Sequence, residues 1–112
     1  MNTALLIASP AGASMHQHAL HFARALAKRT SLQLIYFAGR SVDLLNPEYA
    51  PLLRQWQELA RDRECCLYLC SNGAAATATL APAEDIEIIG HATWVALSSE
   101  IDRVFSFPDS LV

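Results

Sequence analysis

Among the side chains able to act as nucleophiles, Cys70 has the most suggestive neighbours. Leu67-Tyr68-Leu69-Cys70 closes an apolar run, and Ser71-Asn72-Gly73 opens the next element. A cysteine between a strand and a following helix faces the unpaired N–H groups of the first helical turn and the positive end of its dipole. Both favour thiolate over thiol, and they favour a terminal persulfide anion for the same reason. Asn72 and Gly73 permit a tight turn, so that backbone donors can approach the sulfur. The competing reading is plain packing, because free cysteine is among the most buried residue types. Exposure separates the two. A reactive Cys70 must be accessible with a depressed pKa, and a Cys70 buried among apolar side chains would sink that role.

Other candidates are weaker. Cys65 and Cys66 begin the same strand, at the opposite edge of the sheet, and read as packing residues. A Cys66–Cys70 disulfide is excluded, because four strand steps span about 13 Å and a disulfide tolerates a Cα separation of only ~7 Å. The spacing matches no C-x-x-C redox or zinc pattern. His16, His18 and His21 cluster early in the first helix, but only His18 and His21 share a face, and that face is polar, so no metal site is assigned. His91 follows the fourth strand. If the third and fourth strands are neighbours, it can approach the Cys70 thiolate and steady it. The competing reading for His91 is a surface or capping residue, and Trp56 and Trp94 read as core or interface anchors.

These residues need a scaffold, and hydrophobic patterning supplies one. Ala4 to Ala8, Leu32 to Ala38, Cys65 to Cys70, Ile86 to Ile89 and Arg103 to Phe107 read as strands. Continuous apolarity, as in Ala4-Leu5-Leu6-Ile7-Ala8, marks strands covered on both faces. Ser14 and Gln17 have capping-box spacing, which predicts a helix from about Met15 with Met15, Ala19, Phe22, Ala23 and Leu26 on its apolar face. A second helix is expected from about Glu48 to Asp62, with Pro51 in its first turn and Tyr49, Leu52, Leu53, Trp56, Leu59 and Ala60 as its stripe. A short Ala-rich helix from Ser71 ends before Pro82, and His91 to Ser98 is a further helix. The alternation predicts an α/β three-layer sandwich of flavodoxin-like type, one domain over residues 1–112, with a mostly parallel sheet of about five strands. Chemistry in such sheets gathers at the carboxyl ends of the strands, near the reversal of strand order. Here that means just after Ala8, Ala38, Leu69 and Ile89.

Composition narrows the field. The chain has 112 residues, is 53% apolar and carries a formal charge of −3. Lys28-Arg29 is the one adjacent basic pair, too little for a phosphate-binding surface, so direct nucleic-acid binding is not expected. The first ten residues lack a signal-peptide pattern, and no apolar run approaches the ~20 residues of a membrane span. Three cysteines, an odd number, fit a reducing compartment, and a cytoplasmic location is expected. Ser9-Pro10-Ala11-Gly12 matches neither a P-loop nor a dinucleotide fingerprint, no G-x-S-x-G is present, and Glu84-Asp85 reads as solvated charge. No cofactor is implied.

Four stretches carry a family likeness: Leu5 to Gly12, Leu53-Arg54-Gln55-Trp56-Gln57-Glu58-Leu59, Leu67-Tyr68-Leu69-Cys70 with the small residues after it, and Ile101-Asp102-Arg103-Val104-Phe105-Ser106-Phe107. In that order they resemble the DsrE/TusD-like sulfur-relay proteins, small intracellular α/β proteins. The resemblance implies that Cys70 takes up sulfur as a persulfide; Asn72, Gly73 and His91 remain its supports by the reading of its surroundings above. It also implies sulfurtransferase or carrier activity without a cofactor, between sulfur-donor and sulfur-acceptor proteins, in a homo- or hetero-oligomer of related subunits. The TusD-like branch ends in tRNA thiolation and the DsrE branch serves sulfur oxidation. This chain departs from the TusD-like members in its shorter helix and Pro82 turn after Cys70. The alternative is a non-catalytic assembly subunit or small-ligand-binding module of the same fold, which the apolar surplus and the two tryptophans would also suit.

Overall fold

The computed structural model describes residues 1–71 and 85–109. Among these, β1 (Asn2–Ile7), β2 (Ser31–Phe37), β3 (Cys66–Cys70), β4 (Ile86–Ile89) and β5 (Arg103–Phe107) form an all-parallel sheet in the order β4-β3-β2-β1-β5. The described helices are α1 (Ser14–Arg29), α2 (Ala50–Arg63) and α3 (His91–Ser98), with 3-10 turns at Gly39–Leu45 and Pro47–Tyr49. The expected Ala-rich helix after Ser71, with Asn72 and Gly73, lies outside the described residues.

The continuous apolar runs feed two cores. Leu5 and Ile7 of β1, Ile35 and Phe37 of β2, and Leu67 and Leu69 of β3 point to one face, under α1 and α2. Ala4, Tyr36, Tyr68 and Cys70 alternate to the other face, where Trp94 of α3 covers them. Handedness explains the division. The chain crosses β1, β2 and β3 in one direction, which puts α1 and α2 on the same side. It then returns from β4 to the far edge at β5, which puts α3 on the opposite side. The strand order therefore reverses between β1 and β5, two strands away from the end of β3. Cys70 sits at the carboxyl edge of the sheet but not at the reversal.

Local details depart from expectation in instructive ways. α1 starts at Ser14 itself, its N-cap is Ala13, and no side chain caps it. The capping box fails because Ser14 is already helical, and the chain enters through a backbone turn in which Ala13 N–H donates to Pro10 O at 3.0 Å. α2 begins two residues later than the pattern suggests, since Pro47–Tyr49 forms its own 3-10 turn before Ala50. Its exit is sharp. Glu64 takes the left-handed conformation (φ 55°), and Cys65 N–H donates back to Ala60 O at 3.0 Å. That left-handed cap costs a non-glycine residue about 1 kcal/mol or more, and it turns the chain directly into β3.

Candidate functional site

Cys70 ends β3 on the face covered by α3, in register with Ile89 of β4. It is 8% exposed and packs in the cluster of Tyr36, Tyr68, Ile89 and Trp94. The accessibility that a reactive Cys70 requires is therefore absent in this structure. The side chain follows the alternation of its strand, which turns Cys70 inward under Trp94 with Tyr68 rather than outward at the sheet edge.

One polar group shares this cluster with the sulfur. Tyr36, 0% exposed, stacks on Trp94 with ring centroids 4.7 Å apart and planes 17° from parallel. Its hydroxyl is buried without a conventional hydrogen bond among the described residues, and its side chain interacts with Cys70. Burial first, and then the Cys70 sulfur, raise the Tyr36 pKa well above the ordinary phenol value. The phenol consequently stays protonated at neutral pH, a donor beside the sulfur.

His91 opens α3 directly beyond β4, and β3 and β4 are neighbours as its proposed role requires. It is exposed, and its ring lies 6.3 Å from that of Tyr36, tilted by 41°. The structure therefore brings Cys70, Tyr36, Trp94 and His91 to one corner of the sheet, with the His91 ring beside that of Tyr36.

The other cysteines divide. Cys65 is buried and its thiol is pushed up to about 11, chiefly by desolvation, in agreement with a packing role. Cys66 departs from that reading. It is exposed at the first position of β3. Burial first and then Cys66 push the Tyr68 pKa up to about 12.

Sequence reasoning missed His16. It is fully buried, its Nδ1 lies 3.0 Å from Ser9 O, and its Nε2 accepts a 2.9 Å hydrogen bond from Trp56 Nε1–H. This arrangement fixes the neutral tautomer with the proton on Nδ1, and burial lowers the His16 pKa below its ordinary 6.5. Nearby, Asp43 Oδ1 accepts from Ala11 N–H at 2.8 Å and Ser41 Oγ donates to Ile7 O at 2.6 Å, tying the loops after β1 and β2 together. Among the described residues, no group of three His, Cys, Asp or Glu side chains is placed to hold a metal ion. No described helix is long and apolar enough to cross a membrane.

A five-stranded parallel sheet in this order, with helices on both faces and a cysteine at the carboxyl end of β3, defines a small α/β protein of three layers. The DsrE/DsrF-like family model matches residues 1–107, and the chain belongs to that family. Members generally work in sulfur relay, alongside partner proteins. Among solved structures, the YchN protein from E. coli is similar in fold, with a TM-score of 0.77 and 20% sequence identity over 96% of this chain and 100% of that one. A comparison with curated proteins finds no match.

Proposed function

We propose that this chain is a relay protein that takes up sulfur as a persulfide on Cys70 and passes it to a partner protein. The observation that carries the reading is the place of Cys70 at the carboxyl end of β3, in one buried cluster with the Tyr36 phenol. A protonated phenol held in the same low-dielectric cluster suits an anion on that sulfur, since hydrogen bonds to charged groups are the stronger ones. The Cys70 thiolate attacks the outer sulfur of a donor persulfide. A bond forms from Sγ to that sulfur, the donor's S–S bond breaks, and the donor leaves as a thiolate. An acceptor thiolate then attacks the same outer sulfur, and Cys70 is regenerated. Asn72, Gly73 and His91 are the proposed supports of the anion. Because Cys70 is 8% exposed, exchange requires its cover to open when the partner docks. The relay is proposed to run in the cytoplasm, in a complex of this chain with copies or related subunits, and to feed tRNA thiolation or sulfur oxidation.

That same burial favours a second reading, in which the chain is an assembly subunit without a carrier cysteine of its own. Intact mass after incubation with a persulfide donor separates them. The background should be Cys66→Ser, since Cys66 is exposed and would react by itself. Gain of one sulfur, reversed by reductant and lost on adding Cys70→Ser, is the expected result. A chain that gains none, with Cys70 refractory to alkylation as well, belongs to the second reading.

A further inference from the structure

The composition of α3 does not match its burial. From His91 to Ser98 it carries no Asp, Glu, Lys or Arg, yet only Trp94 is buried. Ala92, Val95 and Ala96 are exposed, Val95 by 54%. A helix without a charged face is ordinarily covered on more than one side. The sheet beside it is bare as well. Val104 of β5, paired with Ala4 on this same face, is 38% exposed, and among the described residues α3 is the one helix packed there.

Charge decides what can cover this face. Of the eight Lys and Arg residues, Arg24, Lys28 and Arg29 lie on α1 and Arg54, Arg61 and Arg63 on α2, across the sheet from α3. The other two are engaged elsewhere. Arg103 lies over the ring of Phe105, which packs with the α1 core, and Arg40 pairs with Asp109. Carboxylates border α3 instead. Glu87 stands opposite Tyr68 on the α3 face, and the exposed Glu100 and Asp102 follow the helix, where the negative end of its dipole adds to them. An apolar patch with this border repels a second copy presenting the same face, and equally a nucleic acid or an anionic membrane.

We propose that the outer face of α3 is the docking surface for the protein that exchanges sulfur with Cys70, and that this partner presents an apolar centre ringed by Lys or Arg. The place fits the task, because Trp94 of the same helix covers Cys70 from the inner side. Val95 supplies the apolar anchor, and Glu87 and Glu100 attract and orient the cationic rim. The partner's role rests on the relay reading, whereas the docking chemistry follows from the face itself.

A helical Leu/Lys peptide, and the same peptide with Glu in place of each Lys, serve as probes. Binding to the reduced full chain is followed by amide NMR shifts at low ionic strength. The Lys peptide is expected to shift α3 and Val104, and the Glu peptide to leave them in place. Combining Glu87→Lys with Glu100→Lys should weaken the Lys peptide by about tenfold, two exposed charges at about two- to fivefold each. Val95→Ser should weaken it by about fivefold through lost apolar burial. Equal binding of the two peptides, or shifts confined to other surfaces, overturns the proposal. So does salt-sensitive self-association of the wild type that the double reversal abolishes, since a second copy then occupies the face. Binding needs no sulfur, so a Cys70 that never loads removes the relay reading and leaves the docking result standing.

Discussion

Tyr36 joins the chemistry around Cys70 to the packing of the second sheet face, and the two contributions can be separated by removing one atom. Its ring stacks on Trp94 and is fully buried, so Tyr36→Phe preserves the packing. Its hydroxyl has no conventional hydrogen bond among the described residues, so deleting it leaves no oxygen or nitrogen orphaned there. Stability is therefore expected to change by less than about 1 kcal/mol in denaturant titration. Persulfide loading of Cys70 should slow by about tenfold or more, the usual worth of a hydrogen bond to a charged group. If Tyr36→Phe unfolds the chain, or loads sulfur at the wild-type rate, the phenol is not the donor. Cys70 itself was visible in the sequence as a strand-end nucleophile, and its burial was not. Burial depends on Trp94 and Tyr36, 24 and 34 residues away along the chain, and no local pattern reports the face that α3 covers.

At the scale of elements, the contact between α1 and α2 is a hydrogen-bonded aromatic cluster. Trp56 Nε1–H donates to His16 Nε2, His16 stacks on Phe37 at 6.1 Å, and Trp56 meets Phe37 edge-on at 5.3 Å. Protonating His16 would set two donors against each other. Burial already opposes that proton, with partial compensation from Ser9 O and Asp43. The folded-state pKa lies below the unfolded value of 6.5, so the unfolded chain binds the proton first as pH falls. This contribution to stability is complete above about pH 6.5 and is lost as pH falls from there towards the folded pKa, at no more than about 1.4 kcal/mol per pH unit. Comparing melting temperatures at pH 7.5 and 5.5 should show a larger drop for wild type than for His16→Gln, whose amide can replace both hydrogen bonds without titrating. Equal drops would remove His16 from the account. The strands and helices themselves were legible, because a sheet buried on both faces writes its strands as unbroken apolar runs, and α3 matches its expected span of His91 to Ser98. His16 was not. Helical spacing puts it on one face with Ala19, Leu20 and Ala23, but its hydrogen-bonding partners lie 7 and 40 residues away. The Ser14–Gln17 cap misled for the converse reason, a local motif overruled by the backbone turn from Pro10.

For the whole molecule, strand order sets where the structure is firm. β1, β2 and β3 are each hydrogen-bonded on both sides, whereas β4 pairs with β3 alone and β5 with β1 alone. Burial follows the same order. Leu5, Ile7, Ile35, Tyr36 and Phe37 are 0% exposed, while Ile88 of β4 and Val104 of β5 are 46% and 38% exposed. The β4 edge also lies beside the candidate site: Cys70 pairs with Ile89 at the end of β4, and α3, whose Trp94 covers that sulfur, follows directly, so opening there would admit a partner to it. The exposed Arg40–Asp109 pair at 3.5 Å joins the turn after β2 to the residues after β5 and, at the surface, adds little to hold that edge. Native-state hydrogen exchange should therefore be slowest in β1 and β2, close to the limit set by global unfolding. The amides of β4 should exchange through smaller openings, about tenfold faster or more, a difference of roughly 1.4 kcal/mol. The thiol of Cys70 should become alkylated at the rate at which β4 opens, not at the rate of global unfolding. If β4 proves as protected as β2, and Cys70 reacts only when the whole chain unfolds, a relay through that sulfur has no route in from this edge.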